Sequence, residues 1–201
     1  EYHYKESGEL VNMGRYKLKT LMYYLNFSNE LFPVLDVTGG VEESRLESSS
    51  LELHLDELVS EVDEMMHTIH RTYGETSEVK DLDMTYLHLM GRHYIRTGEY
   101  EKGVRNILSL VEIASEVRNL DYLLMGYKQM IYYDIQIGNT EEMRNYLELA
   151  LNVADECNYH KEMGILLRLK GLNMIMQGNF SEAERLLKES ISTFMVTQSV
   201  Q

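Results

Sequence analysis

From residue 84 onward, apolar residues recur every three or four positions, the period of an α-helix, and the recurrence is broken by short polar phrases. MTYLHLMGRHYIRT (84–97) places Leu87, Met90, Gly91 and Tyr94 on one face; EKGVRNILSLVEIASEV (101–117) continues with Val104, Ile107, Leu108, Val111 and Ala114. The breaks are TGEYEKG, IGNTEEM and QGNFSEA, opened by Gly98, Gly138 and Gly178 at a constant spacing of 40. Glycine suits the left-handed conformation that ends a helix, and the acidic residues that follow favour the N-terminus of the next. The pattern predicts helix, turn, helix three times: 84–97 with 101–118, 122–137 with 141–157, and 161–177 with 181–197. Ala114 and Glu116 recur as Ala154 and Glu156, so several positions share the period, as in a repeat solenoid.

The first 80 residues are less regular. Gly14, in NMGRYKL, stands 84 residues before Gly98, about two periods with a small insertion, and suggests roughly four units in all. Residues 1–12 and 16–32 are expected to form a first helix pair within a 1–32 segment. PVLDVTGGVEESRLESSS (33–50) is polar, carries a glycine pair and reads as a loop. It exceeds typical connections, so it is functional, disordered, or conceals a short helix. Segment 51–83 holds a long helix, with Leu55, Leu58, Val62, Met65 and Ile69 on one stripe, and a connection. Units at 84–120, 121–160 and 161–201 follow. The chain starts at Glu1 and ends inside a helical pattern, which is expected of a piece of a larger protein whose array continues.

The unit that starts at Met84 resembles a tetratricopeptide repeat. Leu87, Met90, Gly91, Tyr94, Gly98 and Tyr100 fall where that family places large, large, small, aromatic, glycine and aromatic residues, and Leu167, Gly171, Gly178, Phe180 and Ala183 repeat the phrase. The middle unit departs from it, with Ile131 for the small residue, Asp134 for the aromatic and Met143 for the small residue of the second helix. Either the register slips by one there, turning Tyr133 inward, or Asp134 is buried with a Lys or Arg partner. The 40-residue period is similar to that of the maltose-operon-activator regulators, peptide-sensing quorum receptors and polarity scaffolds. The resemblance implies an all-α fold, a right-handed antiparallel helix-pair solenoid or superhelix, whose second helices are longer by about a turn and a half.

Composition narrows the partners. The chain is 44% hydrophobic and 26% charged, as in ordinary globular proteins, and one proline, Pro33, favours long helices. A net charge of -14 argues against direct nucleic-acid binding by this segment. No apolar run or signal-peptide pattern points to a membrane partner, so a cytoplasmic location is the default, and the single Cys157 fits a reducing compartment. His67 and His70 share a helix face near Glu61, Asp63 and Glu64, but a metal site needs three or four ligands in a recognisable signature. Asp56 and Glu57 are one carboxylate pair among many in an acidic chain, TGG at 38–40 lacks the continuation of a phosphate loop, and NFS at 26–28 and 179–181 has no secretory context. Cys157 reads as a buried or idle thiol. Most tyrosines and methionines are expected in the core, Tyr94, Tyr100, Met90, Met130 and Met174 among them. Neither a cofactor nor a catalytic residue is expected.

In the family the first helix of each unit lines a groove. The corresponding fifth positions are His88, Lys128 and Arg168, one basic residue per unit; Arg92, Tyr132 and Leu172 stand at the ninth, and Arg96 follows. Segments 84–97 and 164–177 contain arginines or lysine and no acid. Exposed helix positions often carry Lys and Arg. The functional alternative is a basic groove of His88, Arg92, Arg96, Lys128, Tyr132 and Arg168 that takes a protein or peptide that is acidic or has a free C-terminal carboxylate, which Arg can grip through two hydrogen bonds. The resemblance implies a sensing or assembly module of a larger bacterial transcriptional regulator. Two alternatives stand beside it: a homodimeric scaffold joined through Leu186, Leu187, Ile191 and Phe194 of the last helix, and a helical phosphatase-like regulator of a signalling protein.

Overall fold

The computed structural model describes residues 9–25 and 44–199, and every regular element among them is an α-helix. In chain order these are α1 (Glu9–Leu25), α2 (Ser44–Tyr73), α3 (Ser77–Thr97), α4 (Tyr100–Glu116), α5 (Leu120–Ile137), α6 (Thr140–Glu156), α7 (His160–Met176) and α8 (Phe180–Ser199). The chain divides into two compact units within α3, Glu1–His93 and Tyr94–Gln201.

In the first unit Val11, Leu18, Leu21 and Leu25 form the buried stripe of α1, which packs on α2, where Val62, Met66 and Ile69 are buried. Gly14 lies in this stripe. A Cβ at Gly14 would stand 2.8 Å from Ile69 Cδ1, so the residue is a close-packing position inside a continuous helix and not a turn. The helix pair expected over 1–32 is therefore one helix through 9–25; residues 1–8 and 26–43, with Pro33, the first NFS and TGG, lie outside the described residues. Helix α2 starts at Ser44, inside the segment expected as a loop to 50. Helix α3 starts seven residues before the expected Met84, because Thr76 Oγ1 accepts the Val79 N–H and Glu78 occupies the first turn. His70 Nε2 pairs with Asp83 Oδ1 at 2.7 Å, and Tyr86 donates its hydroxyl to Asp63 at 2.7 Å, so α2 and α3 are joined by polar contacts.

In the second unit each helix from α4 to α7 packs on the one that follows. The turns explain why. Gly98, Gly138 and Gly178 have φ of +88°, +73° and +77°, and the turns between them are reversed by Arg118 and Asn158, at +54° and +55°, two non-glycine residues in the left-handed region. The amides of Asn119, Asn139, Tyr159 and Asn179 return to the carbonyls of Ala114, Asp134, Ala154 and Met174 at 2.8–2.9 Å, which closes the last turn of four helices in the same way. Asn119, Asn139 and Asn179 then cap the next helix by accepting the amides of Tyr122, Glu142 and Glu182. The period of 40 is thus carried by two alternating turns, of which only the glycine one was apparent in the pattern.

Close packing at small residues brings the helices together. A Cβ on Gly126 of α5 would lie 2.6 Å from Val111 Cγ2 of α4, and one on Gly171 of α7 would lie 3.1 Å from the Leu187 side chain of α8. In the middle unit Ile131 and Met143 are fully buried where the flanking units carry Gly91 and Gly171, and Gly103 and Ala183. Tyr100, expected inside, is exposed: as the first residue of α4 it lays its ring on Tyr133 of α5, 5.7 Å between centroids. Tyr94 and Met174 are half-buried, whereas Met90 and Met130 are buried.

Candidate functional site

The residues expected to line a groove lie on α3, α5 and α7. Two contacts place α5 and α7 side by side. Lys128 Nζ reaches Glu162 Oε2 at 2.6 Å, and the Tyr159 hydroxyl, at the cap of α7, donates to Asp121 Oδ1 in the first turn of α5 at 2.6 Å. Both contacts link the first half of α5 to the start of α7. The hydrogen bond to Asp121 pushes the Tyr159 hydroxyl up to about 12, which keeps it a neutral donor at ordinary pH.

Lys128, Tyr132 and Arg168 are each half-buried on this pair of helices. His88 and Arg92, also half-buried, belong to the first unit; Arg96, exposed, lies in the second at the end of α3. Lys128 is not a free charge. Its side chain is 20% exposed and Glu162 is 28% exposed, so the pair is partly shielded and each charge is compensated locally. The net positive sum expected of the first helices also shrinks once their full extent is known. Helix α3 gains Glu78, Asp81 and Asp83 against Lys80, Arg92 and Arg96; α5 carries Asp121 and Asp134 against Lys128; only α7, with Lys161, Arg168 and Lys170 against Glu162, is net basic. Glu162 was legible in principle, since a first-turn acid faces the preceding first helix if first helices are neighbours.

A second polar group lies in the middle unit. Asp134 is 2% exposed, and its Oδ2 is buried without a hydrogen bond. The register does not slip, since the Gly138 turn keeps it and Asp134 stays buried, yet Tyr133 also packs, half-buried, on the core of Ile95, Ile107 and Met130; no Lys or Arg is among the groups that act on Asp134. Burial, reinforced by the Glu142 carboxylate on α6, pushes its carboxyl up to about 6. Tyr146 on α6 is raised by burial and then by Asp134 and Glu142, and its ring lies 6.2 Å from that of Tyr127. Sequence pattern marked Asp134 as anomalous but could not show which residues surround it.

The remaining candidates take ordinary surroundings. His67 is exposed, His70 is held by Asp83, and no cluster of three or more His, Cys, Asp or Glu able to hold a metal occurs among the described residues. Asp56 and Glu57 are exposed on α2, and Cys157 is half-buried at the end of α6. Of the four α8 residues expected to lack a cover, Leu186 is buried, Leu187 packs at Gly171 and Phe194 lies over Gly164, where a Cβ would be 2.9 Å from the ring; only Ile191 is exposed. Leu187 and Phe194 thus face α7, the helix before α8. No helix among the described residues is long and apolar enough to cross a membrane. Comparisons with protein-family models, with curated proteins and with solved structures find no match to this chain.

Proposed function

We propose that the chain is a protein- or peptide-binding module of helical repeats, a tetratricopeptide-like solenoid whose first helices offer a groove to an acidic segment or a free C-terminal carboxylate. The observation that carries this reading is the pairing of α5 with α7 through Lys128–Glu162 and Tyr159–Asp121. Contacts of this kind between alternate helices support a stacked array, whose surface lining can vary without disturbing the core. Arg168 and Lys170 on α7, and Arg96 at the end of α3, supply the cationic positions; Lys128 contributes together with Glu162 as a polar pair. A place in a larger transcriptional regulator rests on the resemblance of the repeat and on nothing in the geometry.

The direct test uses fluorescein-labelled hexapeptides ending in Asp or Glu, each with a free or an amidated C-terminus, and fluorescence anisotropy against the intact chain. Selective binding of the free acids, lost on Arg168→Glu with helicity unchanged by circular dichroism, is the expected result. Equal affinity for the free and amidated peptides, or binding indifferent to Arg168→Glu, would overturn the carboxylate reading.

A second reading, a self-associating scaffold, has one specific observation behind it. Ile191, Met195 and Val196 on α8 are all more than half exposed. Light scattering on the wild type and on Ile191→Asp decides it: a dimer that the substitution dissociates supports the scaffold, and a monomer at all concentrations removes it.

A further inference from the structure

Of the turns in the second unit, the one between α5 and α6 has a carboxylate at its base. Asp134 supplies the carbonyl that accepts the Asn139 amide at 2.9 Å, so the residue whose side chain is buried is also the one whose backbone closes the turn. Its counterparts in the flanking repeats are Tyr94 and Met174, neither of them acidic. At the other end of the turn Glu142 donates its amide to Asn139 Oδ1, which puts Glu142 three residues beyond the cap, in the first turn of α6. The turn is also where the next repeat docks: Asn173, fully buried on α7, donates Nδ2 to the Thr140 carbonyl at 3.2 Å.

A buried carboxylate requires a counter-charge, hydrogen-bond donors or a proton. The surroundings supply neither of the first two for Oδ2. From α6 Asp134 is faced by Glu142, which repels it, and by Tyr146; on α5 its neighbour Tyr133 is turned to Tyr100 of α4; from α7 the neutral Asn173 approaches the same turn. We infer that the α5–α6 turn is a proton-operated latch: protonated Asp134 lets the turn close and α7 dock, and ionised Asp134, buried opposite Glu142, favours its opening.

The direction follows from linkage. A carboxyl raised from 3.8 to about 6 binds its proton more tightly in the closed turn, so closure is favoured at low pH and weakens as pH rises, levelling off above about 6. If opening restores the ordinary carboxyl value, the opening equilibrium rises about tenfold between pH 5 and pH 7.5. The groove of the proposed function is not needed for this inference, since α5, α6 and their turn would behave so with any ligand or none.

Hydrogen exchange on the intact chain, with rates corrected for intrinsic pH dependence, reads the latch at the Asn139 and Glu142 amides. Protection there is expected to fall about tenfold from pH 5 to pH 7.5 in the wild type. In Asp134→Asn, which keeps shape and removes charge, it is expected to be flat and high, while the equivalent Asn179 and Glu182 amides stay unchanged in both proteins. Equal protection at the two pH values in the wild type, or the same pH dependence in Asp134→Asn, would overturn the latch. Should the variant fail to fold, a carbon-13 titration of the wild-type Asp134 carboxyl decides by itself: a midpoint near 6 with coincident shifts at the turn amides supports the latch, and a midpoint in the ordinary aspartate range removes it.

Discussion

Breaking the contact between Lys128 and Glu162 tests the adjacency of α5 and α7 most directly. The Nζ–Oε2 distance of 2.6 Å is that of a charge-assisted hydrogen bond, and the partners are 20% and 28% exposed. Fully exposed pairs contribute about 0.2–1 kcal/mol, and hydrogen bonds to charged groups about 1.5–3 kcal/mol. Partial shielding places this pair between the two, at about 1–2 kcal/mol. Lys128→Met keeps much of the aliphatic stem and leaves the Glu162 charge without its partner; Glu162→Gln keeps the shape and removes the charge. The assay is a double-mutant cycle by urea denaturation followed at 222 nm, at low salt and in 1 M NaCl. A coupling energy of about 1–2 kcal/mol at low salt is expected, reduced but not abolished by salt because the pair is only partly open to solvent. The exchange of charges, Lys128→Glu with Glu162→Lys, is expected to restore most of the stability lost in Lys128→Glu alone. A coupling below about 0.3 kcal/mol, or a charge-exchanged protein no more stable than the single variant, would refute the bridge as a tie between first helices.

Three further outcomes follow from packing and turn geometry. Gly126→Val places new atoms where a Cβ alone would already be 2.6 Å from Val111 Cγ2, so it should cost about 1–3 kcal/mol, with partial recovery in Gly126→Val/Val111→Ala, measured by denaturant midpoints. Asn173→Ala removes the donor to the Thr140 carbonyl and the acceptor of the Gln177 side chain, and is expected to cost about 1–3 kcal/mol; no loss of stability would mean that α7 docks without it. Arg118→Gly relieves a left-handed non-glycine residue and should raise stability by up to about 1 kcal/mol, whereas the same change at exposed Arg144 within α6 should lower it.

The hydrophobic period and the glycines at 98, 138 and 178 were enough to predict an all-helical second half with turns near the observed positions, because helix periodicity and left-handed caps are local properties of the chain. The same local logic misread Gly14. A glycine that ends a helix and one that allows a neighbour to approach look alike in sequence, and only Ile69, 55 residues away, tells them apart. Arg118 escaped notice since its residue type does not announce a left-handed backbone, whereas Asn158 belongs to a type that enters that region readily and was legible in principle. The row of His88, Lys128 and Arg168 was legible as a spacing, but whether its cations stand free was not. Glu162 compensates Lys128 across 34 residues, and that depends on how one helix pair is set against the next.

Asp134 marks the same boundary. Sequence alone identified it as a carboxylate where the flanking units carry Tyr94 and Met174. Its burial, its unsatisfied oxygen and its opposition to Glu142 arise only when α5 folds back on α6. Secondary structure and period are set by neighbours in the chain; the protonation of a buried group is set by neighbours in space, which burial deprives of water and the turn brings together.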